Sequence, residues 1–466
     1  MKIVLADPPD VQTPWLIANH PNLGILYLTS YLREKISNVD ISYLDAFLTL
    51  KGHLNQLQVI KPDLYGLSFS AMREQAAFKA IKAVKERFPH LPIICGGPYP
   101  TVMAEEILRN FPVDVCVRGE GEVTMKELVE VFQGKRNLED VAGIVFRKDG
   151  QITATAKRTL IPDLDTIPFP AWDLVDFKKY KGNYQYMAKP STVVIASRGC
   201  PYDCVFCANP VWKLSKPWLR LRSPSSIRDE IYSLYQRGIR EISIRSDEFN
   251  PVLPWTLNVC REIQRLGLKD LFFQGNLRAD KVTDELARKM KESNFWLVQL
   301  GIESGNQRTL DGIEKKITLE QVAQTCTRLK KYGIKVYAYI MIYHAWEENG
   351  KLCYEIPDDV KNTFAFVKRL KRERLIHYMS FSTTTPMLGS RLYDIACRHR
   401  VLKKDGAVND LSDFYLELPN ISRKTMKRSR FEGLLLQSLI NFRSGHNCFT
   451  DWGKNWHKVK TFLKSI

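Results

Sequence analysis

Two runs of alternating strand and helix patterns constrain this chain more than any other feature. In the first 135 residues the short apolar or alternating stretches KIVLAD, DISYLDA, LYGLSFS, PIICGG and DVCVRG are separated by helical patterns. These are LGILYLTSYLREKI, REQAAFKAIKAVKERF, TVMAEEILRNF and EVTMKELVEVF. Alternation at this spacing builds a mostly parallel sheet with helices on both faces. Ligands of such sheets bind beyond the carboxyl ends of the strands. Here those ends carry Asp7-Pro8-Pro9, Ser68-Phe69-Ser70, Gly96-Gly97-Pro98 and Gly119-Glu120-Gly121-Glu122.

Residues 143–155, GIVFRKDGQITAT, read as a hairpin turning at Asp149-Gly150. The proline-rich stretch 160–177 can be neither a long helix nor a central strand and reads as a linker. Alternation resumes at Ser191, with strands expected at TVVIASR, EISIRSDEF, LFFQGNLRA, WLVQLGIES, KVYAYIMIY and HYMSFSTTTP. A serine at 225 or 226 suits the cap of the helix in SPSSIRDEIYSLYQRG. Six βα units suggest an open or partial barrel with its chemistry at the strand carboxyl ends. Beyond His399 the chain is basic, with helical patterns in FEGLLLQSLINF and WHKVKTFLKSI. The expected fold is therefore α/β. An N-terminal doubly wound, Rossmann-like parallel-sheet domain (1–140) leads through a hairpin and linker (141–185) to a partial (β/α)6 TIM barrel (186–390). A small, mainly helical C-terminal region (391–466) follows.

The chain has 466 residues and a formal charge of +18. That charge fits an anionic substrate or nucleic acid, and equally plain solubility. No stretch approaches the ~18–20 apolar residues of a membrane span. The opening MKIVLADPPD reads as a buried strand, not a signal peptide, so a cytoplasmic protein is expected. Ten cysteines in that compartment argue for metal or catalysis rather than disulfides. Cys95, Cys116, Cys260, Cys326, Cys353, Cys397 and Cys448 are scattered, and most suit core positions. Nothing in the spacing of Cys353, Cys397 and Cys448 suggests a second cluster.

Cys200, Cys204 and Cys207 differ. They share the loop SRGCPYDCVFCANP after the first strand of the second run. Spacings of four and three let three sulfurs converge on one centre. Structural zinc asks for a second ligand pair, which is absent here, whereas iron–sulfur loops use tight cysteine runs. The stretch Cys200-Pro-Tyr-Asp-Cys204-Val-Phe206-Cys207 resembles the signature of the radical S-adenosylmethionine (SAM) superfamily, CxxxCx(aromatic)C. The resemblance implies a [4Fe–4S] cluster on these cysteines, SAM bound at its fourth iron, and reductive cleavage of SAM to a 5′-deoxyadenosyl radical. It places Phe206 against the adenine. It also implies SAM-binding roles for Asp247 and Glu248 after the second strand, Asn276 and Arg278 on the third, and Glu303 and Ser304 in the GIESG segment of the fourth. The fifth strand departs from the family pattern: IMIYHAWEENGKLCYEIPDD replaces a short glycine turn, with Tyr343, His344 and Trp346 in a longer loop. The adenine contacts of that turn are therefore not carried over.

The first domain lacks GxGxxG after its first strand, which excludes the dinucleotide-binding fingerprint. It also lacks the third cysteine of the tRNA methylthiotransferases. HPNLGILYLTSYLRE, KPDLYGLSFS, LPIICGGPYPT and VDVCVRGEGEVTMKEL follow the order of the cobalamin-binding domain of cobalamin-dependent radical SAM enzymes. The resemblance covers residues 1 to about 390. It implies cobalamin contacts from Pro8, Ser68, Ser70, Met72, Arg73, Gly96, Gly97, Gly119 and Glu120. The DxHxxG motif that ligates cobalt from below in other cobalamin proteins is absent, and His20 lacks its context. The lower cobalt face is expected to be unligated or covered by the loop holding Met72 and Arg73.

The implied activity is methyl transfer from methylcobalamin to an unactivated carbon of a small molecule after hydrogen abstraction, and the positive charge suits an anionic substrate. An external electron donor such as flavodoxin or ferredoxin is implied. Oxidative cyclisation, ring rearrangement or P-methylation is the alternative on the same architecture. RNA modification is a third reading, motivated by 12 Lys and Arg against 6 Asp and Glu from residue 401 onward. No recognised RNA module supports it, and Trp452 and Trp456, four apart, suit a packed helix face, so nucleic acid is not expected as a partner.

Overall fold

The run KIVLA forms strand β1 (Lys2–Ala6), buried from Ile3 onward because both faces of its sheet are covered. In the computed structural model β1 lies between β2 (Asp40–Leu44) and β3 (Leu64–Ser68), with β4 (Ile93–Gly96) and β5 (Val115–Val117) continuing the parallel run. The strands alternate with α1 (Leu23–Lys35), α2 (Leu50–Ile60), α3 (Glu74–Arg87), α4 (Pro98–Asn110) and α5 (Glu122–Phe132). Asn22 starts α1 by accepting from the Ile25 amide at 3.4 Å. Ile3, Leu5, Ile25, Leu32, Ile94, Val115 and Leu128 form the core of this layer. The order β2-β1-β3 reverses direction at β1, so the carboxyl ends of β1 and β3 flank a topological switch point. The hairpin strands β6 (Ile144–Lys148) and β7 (Gln151–Ala154) turn at Asp149-Gly150 and extend this sheet antiparallel from β5.

The structure describes residues 1–9, 19–180, 182, 185–209, 213, 215–403 and 414–442. They divide into two compact units. One is built on Met1–Lys181 with Asn209–Arg220, the other on Gly182–Ala208 with Leu221–Gly406. Cys448, Trp452, Trp456 and the pattern WHKVKTFLKSI lie outside the described residues.

The second unit holds six parallel strands: β8 (Ser191–Ile195), β9 (Glu241–Arg245), β10 (Phe272–Leu277), β11 (Phe295–Glu303), β12 (Lys335–Ile342) and, after the hairpin β13 (Ala345–Glu348) and β14 (Lys351–Tyr354), β15 (Tyr378–Thr383). The six pair in chain order. Between them run α6 (Pro224–Gln236), α7 (Leu253–Arg265), α8 (Asp284–Glu292), α9 (Gln307–Gly312), α10 (Leu319–Lys331) and α11 (Pro357–Arg372). The cap of α6 is Ser223, not Ser225 or Ser226: Pro224 takes the first helical position, and Ser223 Oγ accepts from the Ser226 amide at 3.1 Å. The stretch expected as a loop at 343–357 contains the β13–β14 hairpin.

Beyond β15 come α12 (Arg391–Arg398) and α13 (Arg423–Phe442). Along the edge strand β15, Asn441 exchanges hydrogen bonds with the Met379 backbone, and Gln437 accepts from the Phe381 amide at 2.9 Å. Side chains of α13 thereby satisfy an edge that would otherwise invite another strand. No helix of the described residues is long and apolar enough to cross a membrane.

Candidate functional site

In the first unit the candidate residues gather at the switch point. Pro8 follows β1, and its carbonyl accepts from the Arg73 guanidinium. Ser68 ends β3, and Ser70, Met72 and Arg73 form the next turn. Arg73 also pairs with Asp7 at 3.3 Å, and Asn22 and Tyr43 donate to the same carboxylate. Burial pushes the Asp7 carboxyl above its ordinary range against these three partners. Asp7, His20, Asn22, Tyr43, Arg73 and Tyr180 line a cavity of about 180 Å³.

Gly96 ends β4, and Gly97 opens α4 at φ +96°, a conformation that favours glycine. A Cβ on Gly97 would meet Phe69 O and Ser68 Oγ at 2.9 Å. The exits of β3 and β4 pack together here with no room for a side chain between them. Gly119 donates its amide to Thr101 Oγ1 at 3.1 Å. Glu120 turns elsewhere. Its carboxylate takes Arg220 at 2.8 Å, a pair with 3% and 9% side-chain exposure, and the Ile161 amide at 2.9 Å.

In the second unit Cys200, Cys204 and Cys207 follow β8 on one partly exposed loop, and none of the three forms a disulfide. Among the described residues no three His, Cys, Asp or Glu are gathered to hold one metal ion. A four-iron cluster asks for wider spacing, since each cysteine sulfur sits on a different iron. Burial beside Glu248 and Asp247 pushes the Cys200 thiol up to about 12. The loop is fixed from three sides. Asp247 accepts from the Gly199 amide at 2.8 Å. The Arg278 guanidinium stacks on Tyr202 at 3.6 Å while pairing with Asp280 at 2.8 Å and donating to the Lys315 and Lys316 carbonyls. Val205 donates to Ile313 O at 2.9 Å. Arg278 is thus engaged with the loop. Asn276 ties the exits of β9 and β10 together through the Ser246 backbone.

Glu248 is 4% exposed, and neither carboxylate oxygen meets a hydrogen-bond partner. Burial outweighs the attraction of Lys281 and Arg278 and pushes its carboxyl up to about 7. A buried orphan carboxylate costs stability unless a cation completes it. The ammonium of an amino-acid cofactor is such a cation.

Glu303 lies at φ +65° beyond a register shift in β11, which re-aims its side chain. It pairs at 2.8 Å with Lys315, which is 12% exposed and lies 5.8 Å from the Phe206 ring centroid. Burial opposes the Lys315 charge, yet Glu303 and Cys204 hold its pKa above the ordinary value. Sequence reasoning missed Lys315. In GIEKKITLE it looks like one of two surface lysines, and only the 12-residue return from Glu303 gave a signal. Ser304 is fully buried, its hydroxyl held by Glu355 at 2.9 Å and Thr363 at 3.0 Å. His344, also fully buried, packs edge-on against Phe206, and burial lowers its pKa to about 3. Trp346 fills the space over Gly312, locking the hairpin onto α9.

Comparison with known proteins gives this arrangement its class. Residues 194–352 match the radical SAM superfamily, and residues 18–129 match the B12 binding domain. An uncharacterized methyltransferase of Pyrococcus horikoshii is 31% identical over 406 residues, covering 86% of this chain and 84% of that protein. An anaerobic magnesium-protoporphyrin IX monomethyl ester cyclase of Rubrivivax gelatinosus is 29% identical over 338 residues; the match covers 70% of this chain and 60% of the cyclase. The solved radical SAM methyltransferase TsrM of Kitasatospora setae shares the fold with a TM-score of 0.71 at 15% identity, covering 100% of this chain and 99% of TsrM. The chain belongs to the cobalamin-dependent radical SAM enzymes of the methyltransferase type. Its cofactors are a [4Fe–4S] cluster, SAM and cobalamin.

Proposed function

We propose that the chain transfers a methyl group to an unactivated carbon of a small-molecule substrate. The observation that carries this reading is the extent of likeness to the uncharacterized methyltransferase of Pyrococcus horikoshii, 84% of whose length is matched at 31% identity. When bound, the cluster and SAM supply a hydrogen-abstracting radical, and cobalamin carries the methyl group. Cys200, Cys204 and Cys207 would hold the cluster. Glu248 would receive the SAM ammonium, Lys315 its carboxylate, and Phe206 would face its adenine. Asp247, Asn276, Arg278, Glu303 and Ser304 would act mainly by fixing these groups, because their side chains are engaged with the protein. In the first unit, Gly96, Gly97, Ser68, Ser70 and Gly119 would let cobalamin approach the backbone. Pro8, Met72 and Arg73 would line its lower side, and Glu120 would fix the loop. Six parallel strands paired in chain order support a partial (β/α)6 TIM barrel for the second unit. An external low-potential donor would supply the electron.

The test is anaerobic turnover with a donor, SAM carrying a deuterated methyl group, and a pool of small metabolites. A product bearing the intact deuterated methyl supports the reading. The cyclase relative motivates a second one, oxidative ring closure. A product that loses hydrogen or gains oxygen, without the label, would favour it.

A further inference from the structure

We propose that Arg245, oriented through Gln299 and Tyr339, anchors an anionic oxygen group of the substrate, a carboxylate or a phosphate. This rests on the reading above, that the second unit acts on a small molecule. Arg245 ends β9, and Gln299 lies on β11, with β10 between them. The Arg245 guanidinium nonetheless donates to Gln299 Oε1 at 2.8 Å. Trp296 on β11 likewise reaches Glu241 on β9 at 3.0 Å. Both contacts cross β10 on one face of the sheet.

That face is open at its carboxyl end. Along β12 exposure alternates: Val336, Ala338, Ile340 and Ile342 are buried under helices, whereas Tyr337, Tyr339 and Met341 on the opposite face are partly exposed. Ser380 and Ser382 on β15 are partly exposed too. The polar row is buried at one end and accessible at the other. Glu241, Gln274 and Gln299 are at most 5% exposed, while Arg245 and Tyr339 are not buried. Gln299 Nε2 donates to Gln274 Oε1 at 3.2 Å, which fixes the amide so that Oε1 faces Arg245 and the Tyr339 hydroxyl, 3.3 Å away. The row thus holds a cation in one orientation. One pleat below Arg245, the Ser243 hydroxyl is 2% exposed and has no hydrogen-bond partner. A guanidinium carries five N–H donors in a fixed fork that matches carboxylate and phosphate oxygens. A few placed polar groups at the mouth of an open face are what orient a small ligand.

The test uses the full chain reconstituted with its cofactors, probed by ligand-observed NMR with benzoate, phenyl phosphate and the neutral benzamide. The expected result is binding of an anion about tenfold tighter than benzamide, the size of one charge-assisted contact. Preference between benzoate and phenyl phosphate then tells carboxylate from phosphate. R245M removes the preference, and R245K keeps part of it. Y339F gives a smaller loss and carries the test if R245M fails to load its cofactors. Equal binding of anions and benzamide, or a preference that survives R245M, overturns the proposal. So does a matching loss of SAM affinity in R245M, which would assign Arg245 to the cofactor. An intact anion preference without methyl transfer would leave this site standing while the methyltransferase reading fell.

Discussion

The two parallel sheets differ at their carboxyl ends. At the first, β3 and β4 end in small hydroxyls and glycines, Gly97 tolerates no Cβ, and the buried charges, Asp7 and Glu120, are already paired with Arg73 and Arg220. At the second, they carry thiols and buried charges: Cys200, Glu248, Arg278, Glu303 and Lys315. The difference follows from what each must hold. A broad corrin ring is recognised by shape, and shape is made by removing side chains. A cluster and a zwitterion are recognised by charge, and charge in a dry site needs partners fixed in advance.

Loading the two sites separately sharpens this contrast. C204A should lose the cluster and all SAM cleavage while keeping its cobalamin, read by iron analysis and the corrin absorption. Loss of both cofactors would break the comparison. G97V should do the reverse. A branched side chain at φ +96° with contacts of 2.9 Å costs roughly 1–3 kcal/mol and should remove most cobalamin while iron stays. E248Q should weaken SAM by about tenfold in equilibrium dialysis with both other cofactors in place, the loss of one charge-assisted contact.

The remaining effect is on stability alone and concerns Glu355, which burial pushes up to about 7. A carboxyl that is easier to protonate folded than unfolded makes the folded state bind the extra proton. Stability from this group is therefore present at low pH and is lost as pH rises from about 4.5 to 7. E355Q should flatten that fall, by roughly 1–3 kcal/mol across the window in denaturant titrations.

Much of the fold could be read from the chain because burial on both faces leaves apolar runs at a fixed spacing. The cysteine loop could be read because its ligands lie within eight residues. What escaped depends on contacts made at a distance. Lys315 looks like any surface lysine until Glu303 and Phe206 close around it. Ser304 looks like a ligand until Glu355, 51 residues later, takes its hydroxyl. The hairpin at 144–154 was legible as a hairpin, but its attachment to the edge of β5 was not, because an edge strand carries no mark of its neighbour.

The most direct measurement of the central claim needs no substrate. The reconstituted holoprotein is reduced anaerobically with SAM carrying a deuterated methyl group, and its corrinoid and nucleosides are extracted for mass spectrometry. Methyl transfer through cobalamin predicts the intact label on the corrinoid together with 5′-deoxyadenosine. 5′-Deoxyadenosine with an unlabelled corrinoid would contradict it.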